Sequence, residues 1–114
     1  MDKRCVDTKN YEGVQTIFTQ EQREKKWLKH PELRDDDFIK RIKSTVEAPS
    51  FVYKDLAKNG RLVYYKYEYS VNGRARYIKV VLVARKNSRL IVTAYRPDYV
   101  KERGKTKLVY GKND

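Results

Sequence analysis

Residues 61–84 read RLVYYKYEYSVNGRARYIKVVLVA. Two runs rich in β-branched and aromatic residues flank Asn72-Gly73, a dipeptide that accepts the two positive-φ positions of a type I′ turn. The stretch predicts a β-hairpin with strands at Leu62 to Ser70 and Tyr77 to Ala84. The same period extends outward. Phe51 to Asp55 reads as a short strand and Asn59-Gly60 as a turn. Leu90 to Arg96 reads as a strand closed by Pro97, which cannot donate to a ladder. Four antiparallel strands in sequential order are therefore expected between residues 50 and 97.

Before Pro49 the apolar period is helical. Phe38, Ile39, Ile42 and Val46 recur on one face, and Asp35-Asp36-Asp37 supplies an N-cap and negative charge, so a helix is expected over 36–47. Thr19-Gln20-Glu21-Gln22 is a capping box and opens a helix over 20–29. Pro31 disfavours helical geometry at His30 and ends it. Val14 to Phe18 is a short apolar run compatible with a strand. Residues 1–13 are polar and without periodicity, so they read as a flexible segment. Residues 98–114 read as a basic tail with a possible strand at Lys107–Tyr110. The expectation is one α+β domain over 14–97, with two N-terminal helices packed on a four-stranded antiparallel meander.

Side chains alternate across a strand, which sorts the faces. Ile78, Val80, Leu82 and Ala84 on one strand, and Leu90, Val92 and Ala94 on the next, are assigned to the helices. Tyr77, Lys79, Val81, Val83, Ile91, Thr93 and Tyr95 are assigned to the open face. In the Leu62–Ser70 strand the mixed set Tyr64, Lys66 and Glu68 is placed on that open face too. Lys66, Glu68, Lys79, Thr93 and Tyr95 would then share one surface, offering cations, a hydroxyl and a phenol for phosphate and base contact. Each alone is compatible with an ordinary solvent-facing strand residue.

The chain carries 27 Lys+Arg against 15 Asp+Glu, a net charge of +12. The excess is uneven: residues 1–49 hold 11 basic and 10 acidic side chains, residues 50–114 hold 16 and 5. Such clustering implies a surface that meets a polyanion, whether RNA, DNA or an anionic membrane. A single cysteine, Cys5, cannot form an internal disulfide, and with a single histidine it cannot complete a zinc site. No cofactor or metal is expected. No apolar run approaches the ~18 residues of a membrane span, and no apolar stretch follows the first Met as in a secretory signal. The expected setting is cytoplasmic and monomeric with no membrane partner, although a toxin domain cut from a larger exported chain would look the same. His30 is the one side chain that titrates near neutrality unaided. At a helix end it reads either as an inert exposed histidine or as an acid–base group.

The series Phe18-Thr19, Trp27, Lys29-His30-Pro31-Glu32-Leu33, Glu47-Ala48-Pro49, Leu62-Val63-Tyr64-Tyr65-Lys66, Tyr77-Ile78-Lys79-Val80-Val81 and Ile91-Val92-Thr93-Ala94-Tyr95 resembles the phage and polymorphic-toxin branch of the barnase–EndoU–colicin–RelE superfamily. The resemblance covers roughly residues 14–97. It implies a metal-independent endoribonuclease of toxin type on a helix pair and a curved antiparallel sheet. The catalytic roles would fall on His30, Lys79, Thr93 and Tyr95, with Tyr64, Lys66, Arg76 and Arg96 binding RNA. RNA is the implied partner, and an acidic inhibitor or immunity protein a second. The residues also admit a non-catalytic nucleic-acid-binding module using the same basic, tyrosine-rich sheet face, or a domain whose partner is an acidic protein.

Overall fold

A computed structural model describes residues 3–100 and 106–111. The chain runs β1 (Arg4–Lys9), β2 (Gln15–Thr19), α1 (Gln20–Lys26), α2 (Asp36–Glu47), β3 (Phe51–Asp55), β4 (Arg61–Val71), β5 (Arg74–Ala84), β6 (Ser88–Tyr95) and β7 (Thr106–Gly111), with a 3₁₀ turn at Pro31–Arg34. All seven strands join one sheet in the order β1-β2-β6-β5-β4-β3-β7. The architecture is mixed α+β. Every pairing is antiparallel except β2 with β6, which is parallel.

The hairpin at the centre follows its turn chemistry. Val71 pairs with Arg74 across a two-residue connection, and Asn72 and Gly73 take φ of 51° and 78°. Only side chains that tolerate the left-handed region fit there, which is why Asn-Gly fixes the register of two long strands. The strands β3 to β6 are antiparallel and sequential, as the alternating period predicts. Helix α2 occupies 36–47 and is capped by the Asp35 side chain, which accepts from the Asp37 amide.

Four expectations are corrected. The sheet has seven strands among the described residues, not four. The helices are not N-terminal, because the β1–β2 hairpin precedes them. Of residues 1–13, expected to be flexible, the described ones are ordered into structure: β1 lies within them, and Asn10 Oδ1 accepts from the Glu12 and Val14 amides to build its turn. This strand escapes a periodicity search because only Val6 among its residues is fully buried, while Arg4, Asp7 and Lys9 are exposed. Helix α1 stops at Lys26 rather than at residue 29, and the His30 amide donates to Lys26 O as the chain turns into Pro31. The strand expected at Lys107–Tyr110 is present as β7, which pairs with β3. Within residues 98–114, 101–105 and 112–114 lie outside the described residues.

Helix α2 covers one face of the sheet. Phe38, Ile42 and Val46 of α2, with Leu33, meet Val52, Ile78, Val80 and Leu82, all essentially fully buried. Burial of each such side chain contributes about 1.5–3 kcal/mol against solvent exposure. Arg23 of α1 is buried as well: its guanidinium donates to Leu33 O at 2.5 Å, to Gln20 at 3.4 Å and to Asp36 at 3.1 Å. It ties α1 to the 3₁₀ turn and to the start of α2, and so fixes the segment that carries His30. No helix among the described residues is long and apolar enough to cross a membrane.

Candidate nucleic-acid site

The parallel pairing of β2 with β6 sets the site. Ile17 lies opposite Leu90, so the register places Thr19 level with Val92. There Thr19 Oγ1 accepts from the Gln22 amide at 3.1 Å and starts α1. The second half of the capping box is not made. Gln22 Nε2 donates instead to Val92 O at 2.8 Å and straps α1 to β6. The helix then delivers Lys26, Lys29 and His30 over the end of β6.

Strand β6 contains a bulge at Val92. Val81 faces Thr93 while Leu82 faces Ile91, which leaves Val92 as the extra residue. The alternation is broken there, so Ile91 and Ala94 are both buried in the core. Leu90 and Val92, expected against the helices, and Ile91, expected on the open face, are therefore corrected. Bulges redirect side chains in this way and are common beside functional sites.

On the face opposite α2, a cavity of about 450 Å³ is lined by His30, Lys79, Thr93 and Tyr95 together. The His30 and Tyr95 rings stack, with centroids 4.3 Å apart and planes 5° from parallel. Lys79 Nζ lies 5.7 Å from the centroid of the same Tyr95 ring and 5.6 Å from that of Tyr65. Thr93 Oγ1 is buried and has no hydrogen-bond partner among the described residues. A buried hydroxyl without a partner is costly, typically about 1–3 kcal/mol.

Three further cations, Lys26, Lys29 and Arg61, line the same cavity, and residue-type reasoning singled out none of them. Asp55 is the one carboxylate there; two amides, of Ala57 and Lys58, hold its carboxyl below its ordinary range. The His30 imidazole is pushed below its ordinary value, first by partial burial and then by Lys29 and Lys26, with Glu32 opposing. A depressed imidazole is neutral near pH 7 and can accept a proton. Glu32 also acts mechanically: its carboxylate accepts from the Arg96 amide at 3.2 Å, joining the His30 segment to the end of β6.

The other sequence candidates lie elsewhere. Tyr64 is fully buried on the helix side and its hydroxyl accepts from Asn10 Nδ2 at 2.9 Å. Lys66 Nζ donates to Ser44 Oγ of α2 at 2.8 Å and to Ser44 O. Glu68, only 5% exposed at its side chain, binds Arg96 at 2.8 Å and Arg41 at 3.3 Å. The assignment of Tyr64, Lys66 and Glu68 to the open face is thus overturned; α2 offers polar partners to Lys66 and Glu68, and Asn10 one to Tyr64. Arg96 is held by Glu68 and lies 4.7 Å over the Phe38 ring, and Arg76 donates to Asp98 O at 3.1 Å. Both arginines are engaged within the fold rather than facing the His30 cavity.

Comparison with protein-family models, with curated proteins and with solved structures finds no match to this chain. Nor is there, among the described residues, a group of three or more His, Cys, Asp or Glu side chains that could hold a metal ion.

Proposed function

We propose that this protein is a metal-independent endoribonuclease that cleaves RNA by attack of the 2′-hydroxyl on the adjacent phosphate, leaving a 2′,3′-cyclic phosphate. One observation carries the reading: His30, from the segment between the helices, meets Lys79 and Thr93 in a single cationic cavity, with both His30 and Lys79 set against the Tyr95 ring. These groups are 65 positions apart in sequence at their extremes.

The chemistry assigns each a task. His30 takes the proton of the 2′-hydroxyl as the oxygen–phosphorus bond forms. Arg61, Lys79 and the Thr93 hydroxyl meet the charge on the non-bridging oxygens. As the bond from phosphorus to the 5′-oxygen breaks, Lys79 returns a proton to the leaving oxygen. Tyr95 orients the imidazole, because one face of its ring is already covered by His30. The stacking of a substrate base falls to other aromatic rings.

The test is single-turnover cleavage of mixed tRNA, mRNA and rRNA with EDTA present. Wild type is expected to yield cyclic phosphate ends and to leave matching DNA uncut, since DNA lacks the nucleophile. His30→Ala is expected to lose about 10²–10⁴-fold in rate with RNA affinity nearly unchanged. Lys79→Ala is expected to lower both. Equal rates for wild type and His30→Ala would remove His30 from the mechanism. RNA binding without cleavage by wild type would replace the enzyme with a binding module.

A further inference from the structure

The His30 cavity does not stand alone on the open face. A second cavity, of about 360 Å³, shares Lys79 and Tyr95 with it and adds Asp98 and Tyr99. A third, of about 420 Å³, shares Asp98 and Tyr99 with the second and adds Phe51, Arg74 and Tyr77. The three form a chain across the sheet, linked by shared walls. Tyr77 lies two residues from Lys79 on β5, about 7 Å along the strand. That distance is comparable to one nucleotide of extended chain.

The far cavity has the composition of a stacking slot. Tyr77 is braced edge-on by Tyr65 and Tyr67, at 6.3 and 6.0 Å, and tilted against Phe51 at 5.5 Å. Its ring is thus fixed in place before any ligand arrives. Tyr99, 57% exposed, lines both the second and the third cavity. Arg74 supplies a cation beside them, while the Asp98 carboxylate faces Arg76 at 4.0 Å. Aromatic rings with an adjacent cation along a groove are how proteins hold unpaired bases and the phosphates between them.

We propose that the cavity lined by Tyr77 and Tyr99 is a second binding subsite, for an unpaired nucleobase flanking the cleaved phosphate, with Arg74 on the neighbouring phosphate. This rests on the reading of the His30 cavity as the place of cleavage. A base here must be splayed from any partner strand, so the subsite selects single-stranded segments.

The experiment uses the full chain and three probes: a dinucleotide RNA, a hexanucleotide RNA, and an uncleavable 2′-deoxy hexanucleotide. The hexanucleotide RNA is expected to exceed the dinucleotide in kcat/KM by roughly 5- to 150-fold, the value of one stacked base. Tyr99→Ala, at an exposed position, is expected to remove most of that advantage and to leave dinucleotide cleavage unchanged. An abasic residue at the flanking position should cause the same loss in wild type and no further loss in Tyr99→Ala. Tyr99→Phe should retain the advantage. Equal kcat/KM for the two RNAs, or a hexanucleotide advantage indifferent to Tyr99→Ala, would overturn the subsite while leaving cleavage intact. Tyr99-dependent binding of the 2′-deoxy strand by a protein that cuts no RNA would keep the subsite and overturn the cleavage reading.

Discussion

Thr93 has a buried hydroxyl with no partner among the described residues, on the wall of the cationic cavity. For stability this is a liability, and Thr93→Val removes it at nearly constant shape. The variant is expected to unfold at the same urea concentration as wild type or a higher one, because an unsatisfied buried oxygen costs free energy. Its cleavage rate is expected to fall by at least about tenfold, as one lost donor to a charged oxygen costs that much or more. A variant that is less stable yet equally active would show that Thr93 is a strand residue and nothing else. His30 makes a pH prediction with a definite sign. Burial and the neighbouring lysines hold its imidazole below the ordinary value of about 6.5. A general base works deprotonated, so the rate should fall as pH drops below that value. In Lys29→Glu a cation becomes an anion, so the acid limb should move to higher pH. A limb that stays in place would separate the pH dependence from His30.

Helix α1 is short, and seven residues hold little helical stability of their own. Its position depends on contacts from two adjacent residues: the Gln22 strap to Val92 O, and the buried Arg23 that joins it to Leu33 O and Asp36. Arg23→Ala should therefore destabilise the protein by about 1–3 kcal/mol, chiefly by leaving Leu33 O without its donor. Because Asp36 is exposed, the ion pair itself contributes little. Urea unfolding measures the loss. Cleavage by the folded variant should fall as well, since the segment from α1 to the 3₁₀ turn places His30 on Tyr95. Loss of the upfield ring-current shift of the His30 protons in NMR spectra would report the same displacement. Full activity alongside reduced stability would mean that the stacking with Tyr95 alone positions the imidazole.

At the scale of the whole molecule, the open face combines a cationic cavity with an aromatic groove, and the helix face carries the core. Residues 50–114 hold 16 basic against 5 acidic side chains, yet not all of these are available to a polyanion. Lys66 and Arg96 are engaged on the helix side, while Arg61 and Lys79 line the cavity together with Lys26 and Lys29 from the first half of the chain. Binding of RNA should weaken steeply with salt, since each neutralised phosphate releases condensed counterions. For a single strand the slope of log K on log salt is roughly −0.7 per phosphate contact. Lys66→Ala should leave the slope unchanged, whereas Arg61→Ala should make it shallower by about one contact. Filter-binding titrations from low to moderate salt decide this, and a flat dependence for wild type would contradict any nucleic-acid role.

The sequence by itself determined the features that local physics controls. The Asn72-Gly73 turn, the Asp35 cap, the span of α2 and the four sequential strands after Pro49 all follow from φ preferences, capping and apolar period, which act over a few residues. His30, Lys79, Thr93 and Tyr95 were also legible as chemical types. What only the tertiary structure decided was which faces meet. In β4 hydrophobicity marks the wrong set as inward: Val63-Tyr65-Tyr67 is the more apolar, yet Tyr64-Lys66-Glu68 faces α2 and the N-terminal turn. The choice was made by Ser44 and Arg41 on α2 and by Asn10 on the N-terminal turn, partners distant in sequence. The bulge at Val92 likewise leaves no mark in the sequence, because it arises where β6 must fit β2 on one side and β5 on the other. Arg61, Lys26 and Lys29 became part of the site only through that closure, which long-range packing imposes and no local pattern encodes.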